Sequence, residues 1–187
     1  AADYGDPDSG EQVHAFSDKG NPHTYIEFYQ QCFEHRRDNI RLLEIGIKTG
    51  GSLLMWSRYF RDSEFHGVDI ADTWSAPRPF QQELAADNID LTWGQDSTRP
   101  FLYNRPFDFI IDDGAHDLLT QWQTFLNCWA MLKPGGQYFI EDVESESTAQ
   151  ELANLIKIKL GDQVQISVYR GDVQRRADDQ ILVIQKL

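Results

Sequence analysis

The sequence predicts an α/β fold, in which a doubly wound, mostly parallel sheet of seven strands ends with an antiparallel strand at the C-terminus. Short apolar runs alternate with helical patterns along most of the chain, as is typical of such sheets. A glycine-bearing turn follows the first run, and the last two runs flank a polar loop as an antiparallel pair would. With 187 residues and no internal repeat or linker, the chain is expected to form one domain over 16–187 after a flexible segment, 1–15.

In the first half of the chain, three helical patterns alternate with three strand patterns. Aromatic residues at helical spacing predict the first helix, and a serine after the glycine-bearing turn is expected to cap the second. The strands are short and apolar. In chain order, the predicted elements are a helix over Pro22–Phe33, a strand over Ile40–Ile45, a helix from the N-cap Ser52 to about Phe60, a strand over Phe65–Ile70, a helix over Pro79–Ala86 and a strand over Ile89–Trp93.

Two further helices and four strands are predicted in the second half. The longest apolar helix is expected to stop at Lys133–Gly136, because Pro and Gly end helices. The charged residues Arg175, Arg176, Asp178 and Asp179 are interpreted as a solvated hairpin turn. In chain order, the elements are a strand over Phe107–Ile111, a helix over Leu118–Leu132, a strand over Gln137–Ile140, an amphipathic helix over Ser147–Leu160 and strands over Val164–Tyr169 and Ile181–Ile184.

Charge and composition disfavour several classes of partner. The net charge is −13, and such an acidic surface repels nucleic-acid backbones and anionic membranes. No apolar run reaches the ~18 residues that a membrane-spanning helix requires. No signal-peptide pattern is visible, so a cytoplasmic location is expected. The two cysteines, Cys32 and Cys128, form no CxxC pair, and Cys128 is interpreted as a small core residue.

Three polar motifs follow the first three predicted strands, where open α/β sheets bind ligands. The first, Glu44–Gly50, holds a G-x-x-x-G turn that lets a ligand approach the backbone, but it lacks the G-x-G-x-x-G spacing of dinucleotide sites. Asp69 is placed to accept the ribose hydroxyls of an adenosine cofactor, and Gly94–Ser97 to contact the adenine edge. The structural alternatives are a turn without a ligand, an aspartate that caps local N–H groups, and an Asx-turn at Asp96.

A second constellation is acidic. The strand FDFII ends at Asp112 and Asp113, and QYFI ends at Glu141 and Asp142. If these strands are parallel neighbours ~4.8 Å apart, four carboxylates crowd one crevice, and a cation such as Mg²⁺ or Mn²⁺ would relieve their repulsion. Solvated loop acids are the alternative. His116 follows a glycine turn and is either bonded to backbone or a general base, since its ordinary pKa of ~6.5 suits neutral-pH proton removal.

The segments LLEIGIKTGGSLLMW, HGVDI, FIIDDGAH and MLKPGGQYFIEDV together resemble class I S-adenosylmethionine-dependent methyltransferases. More narrowly, they resemble the metal-dependent sugar and macrolide O-methyltransferases, a group that includes cephalosporin hydroxylase-like proteins. The resemblance extends from about Phe16 to Leu187 and includes SDKG and HTY elements. It implies a Rossmann-like methyltransferase fold, S-adenosylmethionine as the cofactor, and Mg²⁺ or Mn²⁺ as the metal.

The resemblance also implies roles for individual residues. Metal ligation falls to Asp113, Glu141 and Asp142, and the general base is His116. His23, Thr24 and Tyr25 would fold over the methionine carboxylate, although packing alone also explains Tyr25. Trp74 would flank the acceptor or cover the edge of the sheet. The expected cofactor-binding residues are Glu44, Gly46, Thr49, Gly50, Ser52, Asp69, Gln95, Asp96, Asp112 (at the methionine end) and Tyr25.

The function expected from these features is transfer of a methyl group to a hydroxyl of a sugar, a glycosylated natural product or a similar polyol. The alternatives are a non-catalytic domain that binds S-adenosylmethionine and a metal-independent small-molecule methyltransferase. Fold-level analogy does not choose the acceptor or the oligomeric state. A homo-oligomer whose second subunit completes the acceptor pocket is one arrangement left open by the sequence.

Overall fold

The computed structural model describes residues 17, 19–20, 23–71, 82–85, 87, 89–172 and 176–187, and a seven-stranded sheet runs through them. The first five strands are parallel, and the seventh pairs antiparallel with the fifth and the sixth, so the predicted fold class is confirmed. In spatial order, the strands are β3 (Ile89–Trp93), β2 (Glu64–Asp69), β1 (Arg41–Ile45), β4 (Phe107–Asp112), β5 (Leu132–Ile140), β7 (Gln180–Lys186) and β6 (Val164–Arg170).

Helices cover both faces of the sheet. The four longest of the described helices are α1 (Tyr25–Phe33), α2 (Gly51–Tyr59), α3 (Leu118–Cys128) and α4 (Glu146–Leu160). Every residue of β1 and β4 is buried, as expected of parallel strands with helices on each side. Neighbouring residues of a strand point to opposite faces: Phe109 packs with α1 and α2 in one core cluster, whereas Ile110 packs with α3 and α4 in the other.

The register of the three central strands sets the position of the acidic residues. Ile45 lies opposite Asp112, and Asp112 lies opposite Ile140. The ladder continues one residue further, because Asp113 N donates to Ile45 O at 2.8 Å and Glu141 N donates to Asp112 O at 2.9 Å. The carboxyl ends of β1, β4 and β5 therefore meet at one edge.

Two local predictions were wrong. Ser52 does not cap α2, which begins at Gly51 after Gly50 turns into the left-handed region with φ +85°. The stretch Lys133–Gly136 is not a helix stop but the first part of β5, because α3 ends at Cys128 and a short 3-10 turn follows. A side chain at Gly136 would lie 2.8 Å from the carbonyl oxygen of Asp108, so this glycine permits close strand approach instead.

Asp179 also differs from its interpretation as part of a solvated turn, since its side chain is fully buried. It accepts hydrogen bonds from Thr24 N at 3.2 Å and Thr24 Oγ1 at 2.9 Å, and from the backbone N–H of Asp172. Donors from two segments converge on this carboxylate, so the buried group has protein hydrogen-bond partners in place of water. Asp179 thereby ties the start of α1 to the loop between β6 and β7.

Some predictions fall on other parts of the chain. The segment 1–15, Trp74 and Arg175 lie outside the described residues, and of the helix predicted over Pro79–Ala86 only 82–85 are described as helical. Cys128 is buried in the core as predicted. Among the helices that the structure describes, none has the length and apolar character needed to cross a bilayer.

Candidate functional site

A cavity of about 710 Å³ opens at the carboxyl edge of the sheet, among the loops that follow β1 to β4. Several predicted site residues line it and several do not. Of the predicted residues, those that line the cavity are Gly46, Ser52, Asp69, Gln95, Asp96, Asp113 and His116. The lining does not include Glu44, Thr49, Gly50, Asp112, Tyr25, Glu141 or Asp142. The cavity thus joins the predicted cofactor turn to part of the acidic constellation.

Gly46 makes the turn after β1 possible. Its φ of +88° is in the left-handed region, and a Cβ there would lie 2.0 Å from the carbonyl oxygen of Asp113. Gly46 N also donates to Val68 O at 2.9 Å. Only glycine satisfies both the dihedral angle and the contact, so this residue packs the turn after β1 directly against Asp113.

Asp69 holds the same turn from the end of β2. Its Oδ2 accepts from Ile47 N at 2.7 Å and Lys48 N at 3.0 Å, and its Oδ1 accepts from Ala71 N at 2.9 Å. This is the capping arrangement left open by the sequence. A carboxylate has about four lone-pair sites, so Asp69 keeps capacity for a ligand in the cavity.

The loop after β3 forms a local turn. Asp96 Oδ1 accepts from Thr98 N at 2.9 Å and from Thr98 Oγ1 at 2.6 Å, which is the Asx-turn that the sequence left open. These hydrogen bonds lower the pKa of Asp96. Gln95 Nε2 donates to Asp96 O at 2.9 Å. Both residues line the cavity from a loop that their own hydrogen bonds hold in shape.

Asp113, His116 and Asp142 form the outer acidic face. Each offers one ligand atom, and these atoms lie within 4.8 Å of one another. His116 Nε2 is 3.6 Å from Asp113 Oδ1 and 3.6 Å from Asp142 Oδ2, and the neighbouring Asp113 carboxylate raises the pKa of His116. The backbone of Asp142 is in the left-handed region, with a φ of +51°.

Glu141 faces inward. Tyr29 OH donates to its Oε1 at 2.6 Å, and Lys19 Nζ lies 2.9 Å from Oε1 and 2.7 Å from Oε2. Burial raises the pKa of Glu141. The structure therefore brings Asp113, Asp142 and His116 together, whereas the carboxylate of Glu141 contacts Lys19 and Tyr29.

Lys19 was missed by the sequence reasoning. Its side chain is 1% exposed, and its Nζ also contacts Asp113 Oδ2 at 2.8 Å and Glu44 Oε1 at 3.3 Å. Burial lowers the pKa of Lys19, but the neighbouring carboxylates outweigh burial and raise it. One signal could have found this residue. The carboxylates predicted to crowd the crevice require positive charge, and the SDKG element supplies a lysine.

Two further predicted residues, Asp112 and Glu44, are buried. Asp112 lies with its Oδ2 3.3 Å from Tyr138 OH, and burial raises its pKa to about 7. Burial likewise raises the pKa of Glu44 to about 7, against the opposing charge of Lys19.

Tyr25 holds Asp142 through a 2.7 Å hydrogen bond from its hydroxyl to Oδ1. Its ring stacks on His23, whose Nδ1 is 3.2 Å from Asp179 Oδ1. These residues therefore support Asp142 from behind.

Comparison with known proteins gives one consistent family. A family model described as a methyltransferase domain matches residues 43–143. The chain is 36% identical over 137 residues to the 8-demethyl-8-alpha-L-rhamnosyl tetracenomycin-C 2'-O-methyltransferase of Streptomyces olivaceus, covering 69% of this chain and 35% of that protein. It is 30% identical over 129 residues to the mycinamicin VI 2''-O-methyltransferase of Micromonospora griseorubida, covering 65% of this chain and 32% of that protein.

A solved structure of the MycE methyltransferase in complex with Mg, SAH and mycinamycin VI matches with a TM-score of 0.66 and 25% identity. The match covers 91% of this chain and 52% of that one. The chain spans about a third of the length of the two curated relatives. The family model covers more than half of the chain, and its match agrees with the motifs and the fold. The chain therefore belongs to the methyltransferase-domain family.

Proposed function

We propose that this chain carries out S-adenosylmethionine-dependent, Mg²⁺-dependent methylation of a hydroxyl on a sugar, a glycosylated natural product or a similar polyol. The observation that carries the proposal is one continuous site. Asp113 and His116 line the 710 Å³ cavity and also belong to the outer acidic face with Asp142. The relatives support the acceptor class, since their names describe O-methylation of natural products and one of these carries a rhamnosyl group.

The cavity fits a cofactor of this kind. Its volume is in the range of about 300–1,000 Å³ that is usual for small-molecule sites. Asp69 would accept a ribose hydroxyl with its remaining lone pair, and the Gln95–Asp96 loop would contact the adenine edge. The N-terminus of α2 offers backbone N–H groups beside Gly46. When bound, S-adenosylmethionine supplies the methyl group.

The outer acidic face fits a divalent cation. Two carboxylates with a histidine nitrogen nearby suit Mg²⁺ or Mn²⁺, with waters or acceptor oxygens completing the shell. From the geometry we assign Asp113 and Asp142 as ligands. The resemblance also predicts Glu141 as a ligand. This stays a prediction, since the carboxylate of Glu141 here contacts Lys19 and Tyr29 instead of the outer acidic face. When bound, the cation supplies positive charge that makes a neighbouring hydroxyl more acidic.

His116 is the group that would take the proton from the acceptor hydroxyl. It is 44% exposed, so its Nε2 can reach a substrate in the cavity mouth. Its Nε2 lies 3.6 Å from Asp113 Oδ1 and 3.6 Å from Asp142 Oδ2, so the base would stand beside the cation that these carboxylates would hold. Holding the acceptor oxygen near the methyl donor would account for much of the rate, as in other oriented transfers.

A methyl-transfer assay with and without chelator tests the proposal. With S-adenosylmethionine and rhamnosyl or macrolide-sugar acceptors, we expect transfer that EDTA lowers at least about 100-fold, because charge stabilisation of several kcal/mol is lost. Excess Mg²⁺ should restore it. Transfer that resists EDTA would favour the metal-independent methyltransferase. Cofactor binding without transfer to any acceptor would favour the non-catalytic domain.

A further inference from the structure

The ammonium group of Lys19 lies at the centre of three carboxylates. Nζ is 2.8 Å from Asp113 Oδ2, 2.7 Å from Glu141 Oε2 and 3.3 Å from Glu44 Oε1. The side chains of Lys19, Glu44 and Glu141 are at most 2% exposed. Water therefore screens these charges little, so the positive charge of Lys19 and the negative charges around it must compensate one another.

Each of these carboxylates comes from a different strand of the sheet. Glu44 lies in β1, Asp113 follows β4 and Glu141 follows β5, and these strands are neighbours in that order. Lys19 itself is joined to the start of α1, because Tyr25 N donates to Lys19 O at 2.9 Å. One side chain thus connects the N-terminal region to three adjacent strand ends.

Asp113 divides the acidic constellation into two faces. Its Oδ2 contacts Lys19, whereas its Oδ1 is directed to His116 at 3.6 Å. The inner face consists of Glu44, Glu141 and Asp113 Oδ2 around the ammonium. The outer acidic face holds Asp113 Oδ1 and Asp142 Oδ2, together with His116.

We propose that Lys19 is a resident cation of the site, a positioning residue that neutralises the inner face and keeps the outer face open for the exchangeable divalent cation. The second half of this inference rests on the proposed function. Without a compensating charge, the buried inner carboxylates repel one another and destabilise the fold. With the ammonium in place, its charge also opposes a cation bound to Asp113, so the divalent cation binds more weakly than it would to the carboxylates alone.

The test compares wild type, Lys19→Met, Glu141→Gln and the double variant Lys19→Met/Glu141→Gln. In EDTA, Lys19→Met should unfold about 10 °C below wild type, because breaking a buried ion pair leaves uncompensated charge. The double variant should recover part of that loss, since the carboxylate left without its partner is gone. Calorimetric titration should show Mg²⁺ binding to Lys19→Met on the order of tenfold more tightly than to wild type, with a larger rise in Tm.

Lys133→Met is the matched control. Lys133 Nζ is also ion-paired, 2.6 Å from Asp108 Oδ2, but Asp108 lies at the N-terminal end of β4, whereas Asp113 follows its C-terminal end. This variant should leave Mg²⁺ affinity unchanged.

Three outcomes would overturn the role of Lys19. They are a Lys19→Met variant as stable as wild type in EDTA, a double variant no more stable than Lys19→Met, and Mg²⁺ affinity that is unchanged or weaker in Lys19→Met. If Lys19→Met does not fold, the stability of the double variant in EDTA decides the role of Lys19, because we expect the double variant to fold. If wild type binds no Mg²⁺, the proposed metal-dependent function fails, and the stability series in EDTA alone decides whether Lys19 neutralises the inner face.

Discussion

Replacing His116 with alanine should lower the turnover number of methyl transfer by about 10²–10⁴-fold, the usual contribution of a positioned general base. S-adenosylmethionine affinity should stay within about twofold, because a residue that acts on the acceptor proton contributes little to cofactor binding. Steady-state kinetics and calorimetry measure the two effects. Because the base must be neutral, wild-type activity should fall as the pH is lowered through the pKa of His116, a pKa that Asp113 raises in the metal-free protein.

His35→Ala is the control for this variant, since His35 is 88% exposed and contacts Glu34 on the surface. It should retain wild-type turnover. Full activity of His116→Ala would contradict the assignment of His116 as the base. Loss of cofactor binding in His116→Ala would show that the residue shapes the cavity instead.

Replacing Gly46 with alanine should lower the free energy of unfolding by about 2–4 kcal/mol. The added Cβ would lie 2.0 Å from the carbonyl oxygen of Asp113, a backbone atom that cannot move aside cheaply. The left-handed φ of +88° adds strain of about 1–2 kcal/mol for any residue with a Cβ. Urea denaturation measures the change, and S-adenosylmethionine affinity should fall with it because the cofactor turn shifts.

Gly135→Ala separates the contact from the dihedral angle. Gly135 has a similar φ of +74°, but a Cβ there would meet no atom within 4 Å. Its cost should be only the strain of about 1–2 kcal/mol. Equal destabilisation by the two variants would contradict the close packing of the turn against Asp113.

The sheet could be predicted because its signals are local. Apolar runs such as FDFII, separated by helical patterns, indicate strands covered on both faces, and β1 and β4 are indeed fully buried. The meeting of Asp113 and Asp142 also followed from the pattern, since each residue follows a strand of a parallel sheet and such strands share one carboxyl edge. The error at Lys133–Gly136 has the same local origin, because a Pro-Gly-Gly stretch that starts a strand looks like a helix stop.

The contacts of the N-terminal region could not be predicted in this way. Lys19 reaches Asp113 and Glu141 across 94 and 122 residues of sequence, and Thr24 reaches Asp179 across 155. No periodicity relates such residues. Their contacts depend on how α1 packs against the sheet, so the sequence could indicate only that the crowded carboxylates need positive charge. The inward direction of Glu141 follows from the same contacts.

Parallel calorimetric titrations of Mg²⁺ and S-adenosylmethionine into wild type and Asp113→Asn/Asp142→Asn test the central claim most directly. These substitutions keep the shape of each side chain and remove its charge. Wild type should bind both, and the variant should bind S-adenosylmethionine but lose measurable Mg²⁺ binding, because charged oxygen ligands account for most of the affinity. Equal Mg²⁺ binding by both proteins, or no S-adenosylmethionine binding by wild type, would contradict a metal-dependent methyltransferase site built on Asp113 and Asp142.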